Sequence, residues 1–229
     1  MPPPRVPRAT AAVFAVTATC SILQFPYPAL LAALRRDPAA LADGQWWRLV
    51  TPLVVQDGGV AGTVSNLLFL AVLGVLAERL LGARRWLVLY AAGAVAGTVA
   101  GYAWNPHGAG NSIALCGLAG GVLALAATRP VPAPPLVASA VFAGAVTQLW
   151  PVPVVLAWTA LPLTRWRPRV AGRVLAAVGA TIAVALLAVR DNHGAALAAG
   201  LATGALIAVR FPPGRESGTT LPTRRAGIG

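Results

Sequence analysis

Apolar residues dominate the chain in blocks, and polar residues fall mainly in the short stretches between them. Residues 10–34, 60–81, 86–104, 112–128, 174–189 and 193–209 each form an apolar run. Runs of this length match the roughly 20 residues a helix needs to cross the hydrocarbon of a bilayer. One further apolar stretch, 136–163, is broken by Trp150-Pro151-Val152-Pro153. Each half is too short for a full span, so the pattern predicts a proline-kinked hairpin, spanning or re-entrant. Residues 35–59 form a long polar connection that carries Trp46-Trp47-Arg48, with aromatics of the kind that settle at headgroup level.

Composition fits this pattern. Of 229 residues 57% are hydrophobic and 10% charged, against about a quarter charged in a soluble domain. Mean hydropathy is +0.72. The expected fold class is all-α: a polytopic transmembrane helix bundle with six spans plus the hairpin. Residues 1–9 read as a basic tail, 10–210 as the membrane domain and 211–229 as a disordered basic tail. The N-terminal apolar run is too long for a cleaved signal and reads as a retained helix.

Net charge is +12, and every one of the 18 basic residues is Arg. They cluster between apolar runs and at the termini, which suits the positive-inside rule better than nucleic-acid binding. Placing Arg5 and Arg8 in the cytoplasm puts Arg84-Arg85, Arg129, Arg165–Arg173 and the C-terminus there too. The expected setting is a bacterial plasma membrane with both termini cytoplasmic. Cys20 and Cys116 sit inside apolar runs and read as buried small hydrophobes. No cofactor or metal is expected. The expected partners are the lipid bilayer and a transmembrane protein, as substrate or client.

Two candidates for chemistry then stand out. Ser112, in Gly110-Asn111-Ser112, opens an apolar run after a loop with no acidic or basic charge. It is either a helix cap or a nucleophile. His193 opens the last run. Under the topology above both lie at the outer ends of helices that run the same way. Asn66, inside an apolar run, needs a hydrogen-bond partner and is either a polar clamp or an oxyanion donor. Glu78 reads as a structural partner of Arg79 or Arg84. His107 reads as a solvated loop residue. The stripes Gly93/Gly97/Gly101, Gly117/Gly121 and Gly200/Gly204 predict close helix packing.

Four pieces together resemble the rhomboid family of intramembrane serine proteases. They are Trp47-Arg48 in the first loop, Asn66 through Glu78 and Gly82 with Arg85 and Tyr90, Gly110-x-Ser112 with Gly117, and Asp191-Asn192-His193-Gly194 with Gly200 and Gly204. The resemblance implies that Ser112 attacks a peptide carbonyl, that His193 takes its proton in a dyad without an acid, and that Asn66 helps hold the oxyanion. The sequence departs from the family at four places. Ile113 follows the serine where glycine is usual. Gly62 and Gln56 stand where histidines often do. Aligning Gly200 and Gly204 puts the family's catalytic histidine at Leu197, one turn beyond His193. Two functions follow: an endopeptidase that cleaves transmembrane segments, or a pseudoprotease that binds them without cleavage.

Overall fold

The computed structural model describes residues 6–149 and 151–210. Residues 1–5 of the expected 1–9 tail and the whole 211–229 tail lie outside the described residues, as does Trp150; Arg8 and Ala9 open the first helix. Ten helices follow in order: α1 Arg8–Leu23, α2 Pro28–Leu34, α3 Pro38–Ala42, α4 Gly59–Leu81, α5 Ala83–Trp104, α6 Ser112–Thr128, α7 Ala133–Ala145, α8 Pro151–Trp166, α9 Pro168–Ala188 and α10 Asn192–Arg210. Among the described residues four helices, α4, α5, α9 and α10, are long and apolar enough to cross a membrane, and α1, α6 and α7 are shorter apolar helices. The protein is a polytopic all-α membrane bundle.

α6 is the axis of the bundle. From Ile113 to Ala126 every one of its residues is buried, and α5, α10, α9, α7 and α4 all pack around it. A helix apolar on all sides and enclosed by others has no lipid-facing stripe to spare. The outer helices behave differently, with α4 showing Val60, Val64 and Leu68 on its exposed face.

The structure refines or corrects the sequence pattern in three places. First, Pro26 and Pro28, expected to bend or end the 10–34 run, divide it into two helices. Pro26 lacks an amide hydrogen and disfavours helix at Phe25, so the chain turns between Leu23 and Pro28. Second, the polar connection is a folded layer. Asp37 caps α3 by accepting from Ala39 and Ala40 N–H at 3.0 and 3.1 Å. Buried Arg48 ties the following 3-10 turn to the carbonyls of Ala32 and Arg35 at 2.9 and 2.8 Å. Third, Glu78 does not pair with Arg79 or Arg84. Its carboxylate accepts from Ala9 N, Thr10 N and Thr10 Oγ1 at 3.0, 2.7 and 2.7 Å, filling the unsatisfied donors at the start of α1.

The hairpin exists as α7 and α8, each wider than the predicted 136–163 at its outer boundary. They hold 13 and 16 residues, about 20 and 24 Å of helix. Gln148, at φ 57°, turns the chain between them. α7 lies between α6 and α8 and also touches α4, where Phe69 meets Phe142 edge-on at 4.8 Å between ring centroids. Arg8 with Arg79, Arg84 with Arg210, and Arg129 with Arg169 and Arg173 line three clefts at one end of the bundle. Ser112 opens α6 at the other end.

Candidate active site

Three helices meet at backbone contact near the start of α6. A Cβ placed on Gly117 would collide with the Leu89 carbonyl and the Gly93 backbone of α5, and one on Gly200 of α10 would collide with Gly117 itself. One turn on, Gly204 stands against the backbone of Gly121. Gly97 stands against Ile113 and Ala196. Small residues at this spacing let helix axes approach closely without the side-chain layer that normally separates them. This glycine seam sets the register of α6 against α10.

In that register the first turns of the two helices lie side by side. Ser112 is the first residue of α6, and Asn111 rather than Ser112 occupies its N-cap. Ser112 Oγ lies 2.8 Å from His193 Nε2. Leu197, where family alignment placed the histidine, is fully buried, and its carbonyl faces Gly120 of α6. His193 therefore reaches the serine from the turn above, because the seam brings α6 and α10 together at that level. On its far side His193 Nδ1 donates to Asp191 Oδ1 at 2.7 Å, and the same oxygen accepts the His193 backbone N–H at 2.8 Å. The side chains of His193 and Asp191 are 19% and 28% exposed, so water reaches both. Half-burial pushes the Asp191 carboxyl upward, but the hydrogen bond and charge of His193 outweigh it and hold the group below the usual carboxylate range.

The opposite wall is a chain of amides. Gln56 is buried at 1% exposure. Its backbone is fixed by Gln24 at the end of α1, which donates to the Gln56 carbonyl at 2.6 Å and accepts its N–H at 2.9 Å. Its side chain accepts from Asn66 Nδ2 at 2.7 Å and donates to Asn111 Oδ1 at 3.2 Å. Asn66 is thus clamped, and its amide nitrogen faces the serine loop. Gln56 Oε1, Asn66 Nδ2 and Ser112 Oγ all lie within 3.5 Å of the point where a Cβ on Gly110 would stand. Gly110 has φ +150°, a conformation that L side chains rarely adopt. Gly62 has no neighbour within 4 Å of its Cβ position, so no side chain fills the place of the family's second histidine. Asn111 is fully buried next to the serine, with Tyr90 of α5 beside its side chain.

A second clamp holds the loop that leads to Ser112. Arg36 pairs with Gly108 as an isolated antiparallel bridge, and its guanidinium packs against Gly101 and Gly108. Burial lowers its pKa, and the charge of Asp57 works in the other direction. Asp57 Oδ2 accepts from Ala109 N at 2.9 Å, and Gly110 N donates to the Pro52 carbonyl at 2.8 Å. His107 is exposed on this loop. Among the described residues no group of His, Cys, Asp or Glu is placed to hold a metal ion.

Sequence reasoning missed three contributors: Gln24, the contacts of Gln56, and Asp191 as a partner of the histidine. The Asp-x-His spacing at a helix start was the available signal for the third. An Asp at the N-cap reaches the residue two positions on.

The sequence matches known proteins. The family model of the rhomboid domain fits residues 43–211. The chain is 36% identical over 98 residues to the rhomboid protease GluP of Bacillus subtilis (strain 168), covering 42% of this chain and 19% of that protein. It is 32% identical over 89 residues to YdcA of the same strain, a protein named for the rhomboid proteases, covering 37% of this chain and 44% of that one. The matched stretches thus span less than half the length of either relative.

Proposed function

This chain belongs to the rhomboid family of intramembrane proteases, and on that premise we propose that it is a serine endopeptidase that cleaves transmembrane segments with Ser112 and His193. The observation that carries the proposal is the 2.8 Å contact between Ser112 Oγ and His193 Nε2. A serine hydroxyl becomes a useful nucleophile once a base lies within hydrogen-bond reach.

Ser112 Oγ attacks the scissile carbonyl carbon while His193 Nε2 takes the hydroxyl proton. The carbonyl π electrons move onto oxygen. Asn66 Nδ2, held by Gln56, and the Ser112 backbone N–H are the donors for that oxyanion. The first N–H groups of a helix have no intrahelical partner, and the positive end of the α6 dipole favours the charge. Collapse of the tetrahedral species breaks the C–N bond, and His193 gives its proton to the leaving nitrogen. Water then attacks the acyl-serine, its proton passing through His193 back to Ser112. We place the arginine-rich end in the cytoplasm by the positive-inside rule, which puts the site near the outer surface. The substrate is a membrane protein whose helix unwinds there, since a peptide bond in an intact helix is shielded from attack.

The test is cleavage of single-span membrane reporters by protein reconstituted in liposomes. The proposal requires product that disappears in Ser112→Ala and in His193→Ala. Reporter that binds, crosslinks to the bundle and is not cut would establish the pseudoprotease instead.

A further inference from the structure

We propose that Asp191 is the third member of the catalytic group, a positioning residue that fixes the tautomer and orientation of His193. This rests on the Ser112–His193 reading and extends it from a dyad to a triad.

A neutral imidazole has one N–H donor and one acceptor nitrogen. The carboxylate of Asp191 only accepts, and it lies 2.7 Å from Nδ1. The proton is therefore on Nδ1, which leaves the Nε2 lone pair facing Ser112 Oγ at 2.8 Å. That is the tautomer a general base requires. The ring is also held at both ends, and the charge of Asp191 favours the imidazolium that forms as the serine attacks. Local geometry makes the contact inexpensive. Asp191 immediately precedes α10 and already accepts the His193 backbone N–H at 2.8 Å, so no side chain must be ordered solely for catalysis.

Asp191 is also a helix cap, and the experiment must separate the two roles. Asn and Ser cap helices about as well as Asp. The amide in D191N carries no charge and can turn its NH₂ toward Nδ1, favouring the wrong tautomer. The hydroxyl in D191S is too short to reach the ring. The full chain in detergent is treated with a fluorophosphonate probe, and the maximal rate of Ser112 labelling, the probe concentration at half-maximal rate and the melting temperature are measured. Asp191 as a positioning residue predicts at least about a tenfold fall in maximal rate for D191N and D191S, with half-maximal concentration unchanged and a melting temperature closer to wild type than that of Asp191→Ala, which loses the cap as well. Full labelling rates in both variants, with labelling lost in H193A, would leave Asp191 a helix cap and overturn this proposal alone. Wild-type labelling that persists in H193A, or is absent from Ser112, would overturn it together with the dyad.

Discussion

The α5–α6–α10 seam and the α7–α8 hairpin are both helix packings in the same bundle, but they are built differently. In the seam, backbones touch through Gly93, Gly117 and Gly200, with no side chain between them. In the hairpin, Gly144 of α7 faces both the Leu156 side chain and the Pro153 backbone of α8, and Phe142 packs outward against Phe69 of α4. The hairpin's outer helix turns Trp158 and Trp166 outward at 78% and 85% exposure. A side chain can change rotamer to absorb an error of several tenths of an ångström. A backbone contact cannot. The packing is of the unforgiving kind where a hydroxyl and an imidazole meet at 2.8 Å.

That contrast can be broken most severely at Gly117. In Gly117→Ala the new methyl would overlap the Leu89 carbonyl and the Gly93 backbone of α5. Stability should fall by about 3 kcal/mol, at the upper end of overpacking costs. A shift of α6 by about 1 Å should lower the labelling rate of Ser112 roughly a hundredfold. Thermal melting and probe kinetics on the same preparation would measure both. A variant with wild-type labelling would remove the seam from the account.

Gly110→Ala is the next largest. It forces an L side chain to φ +150° and crowds Gln56, Asn66 and Ser112. The strain is about 1–3 kcal/mol and falls on the loop, so labelling should drop by about tenfold while the bundle still melts cooperatively. Phe142→Ala sharpens the comparison from the other side. Losing the aromatic pair costs about 1 kcal/mol beyond the packing area and should lower the melting temperature. The rate per folded molecule should stay within about twofold, because distant sites act independently. A large loss of rate would mean the hairpin also positions the site.

The smallest effect is a pH dependence. The Asp191 carboxyl titrates below its ordinary 3.8. Its contribution to stability is therefore present above that value and is lost as pH falls through the lower, folded-state one. The melting-temperature gap between wild type and Asp191→Ala should hold steady down to about pH 4 and close below it. A gap that closed near neutral pH would contradict the carboxylate contact.

The long spans were legible because their signal is one-dimensional. Apolar length alone marks α4, α5, α9 and α10, and several of the ends follow from Gly82, Asn105 and the turn before His193. The glycine stripes were legible for the same reason. Contacts between distant polar residues were not. Gln24 and Gln56 are 32 residues apart, and nothing local shows that one fixes the backbone of the other. Glu78 looked like a partner for its neighbouring arginines because the amide donors it serves belong to α1, 68 residues away. The register of α10 was unreadable from glycine alignment alone. Leu197 and His193 share a face, and only the packed distance between α6 and α10 decides which of the two reaches Ser112.

The most direct test is mass spectrometry of the purified, full-length protein after treatment with a fluorophosphonate. The account predicts a single adduct on the peptide carrying Ser112, absent in Ser112→Ala and reduced at least about a hundredfold in rate in His193→Ala, as loss of a general base requires. No adduct on Ser112, or one that forms at the same rate without His193, would contradict it.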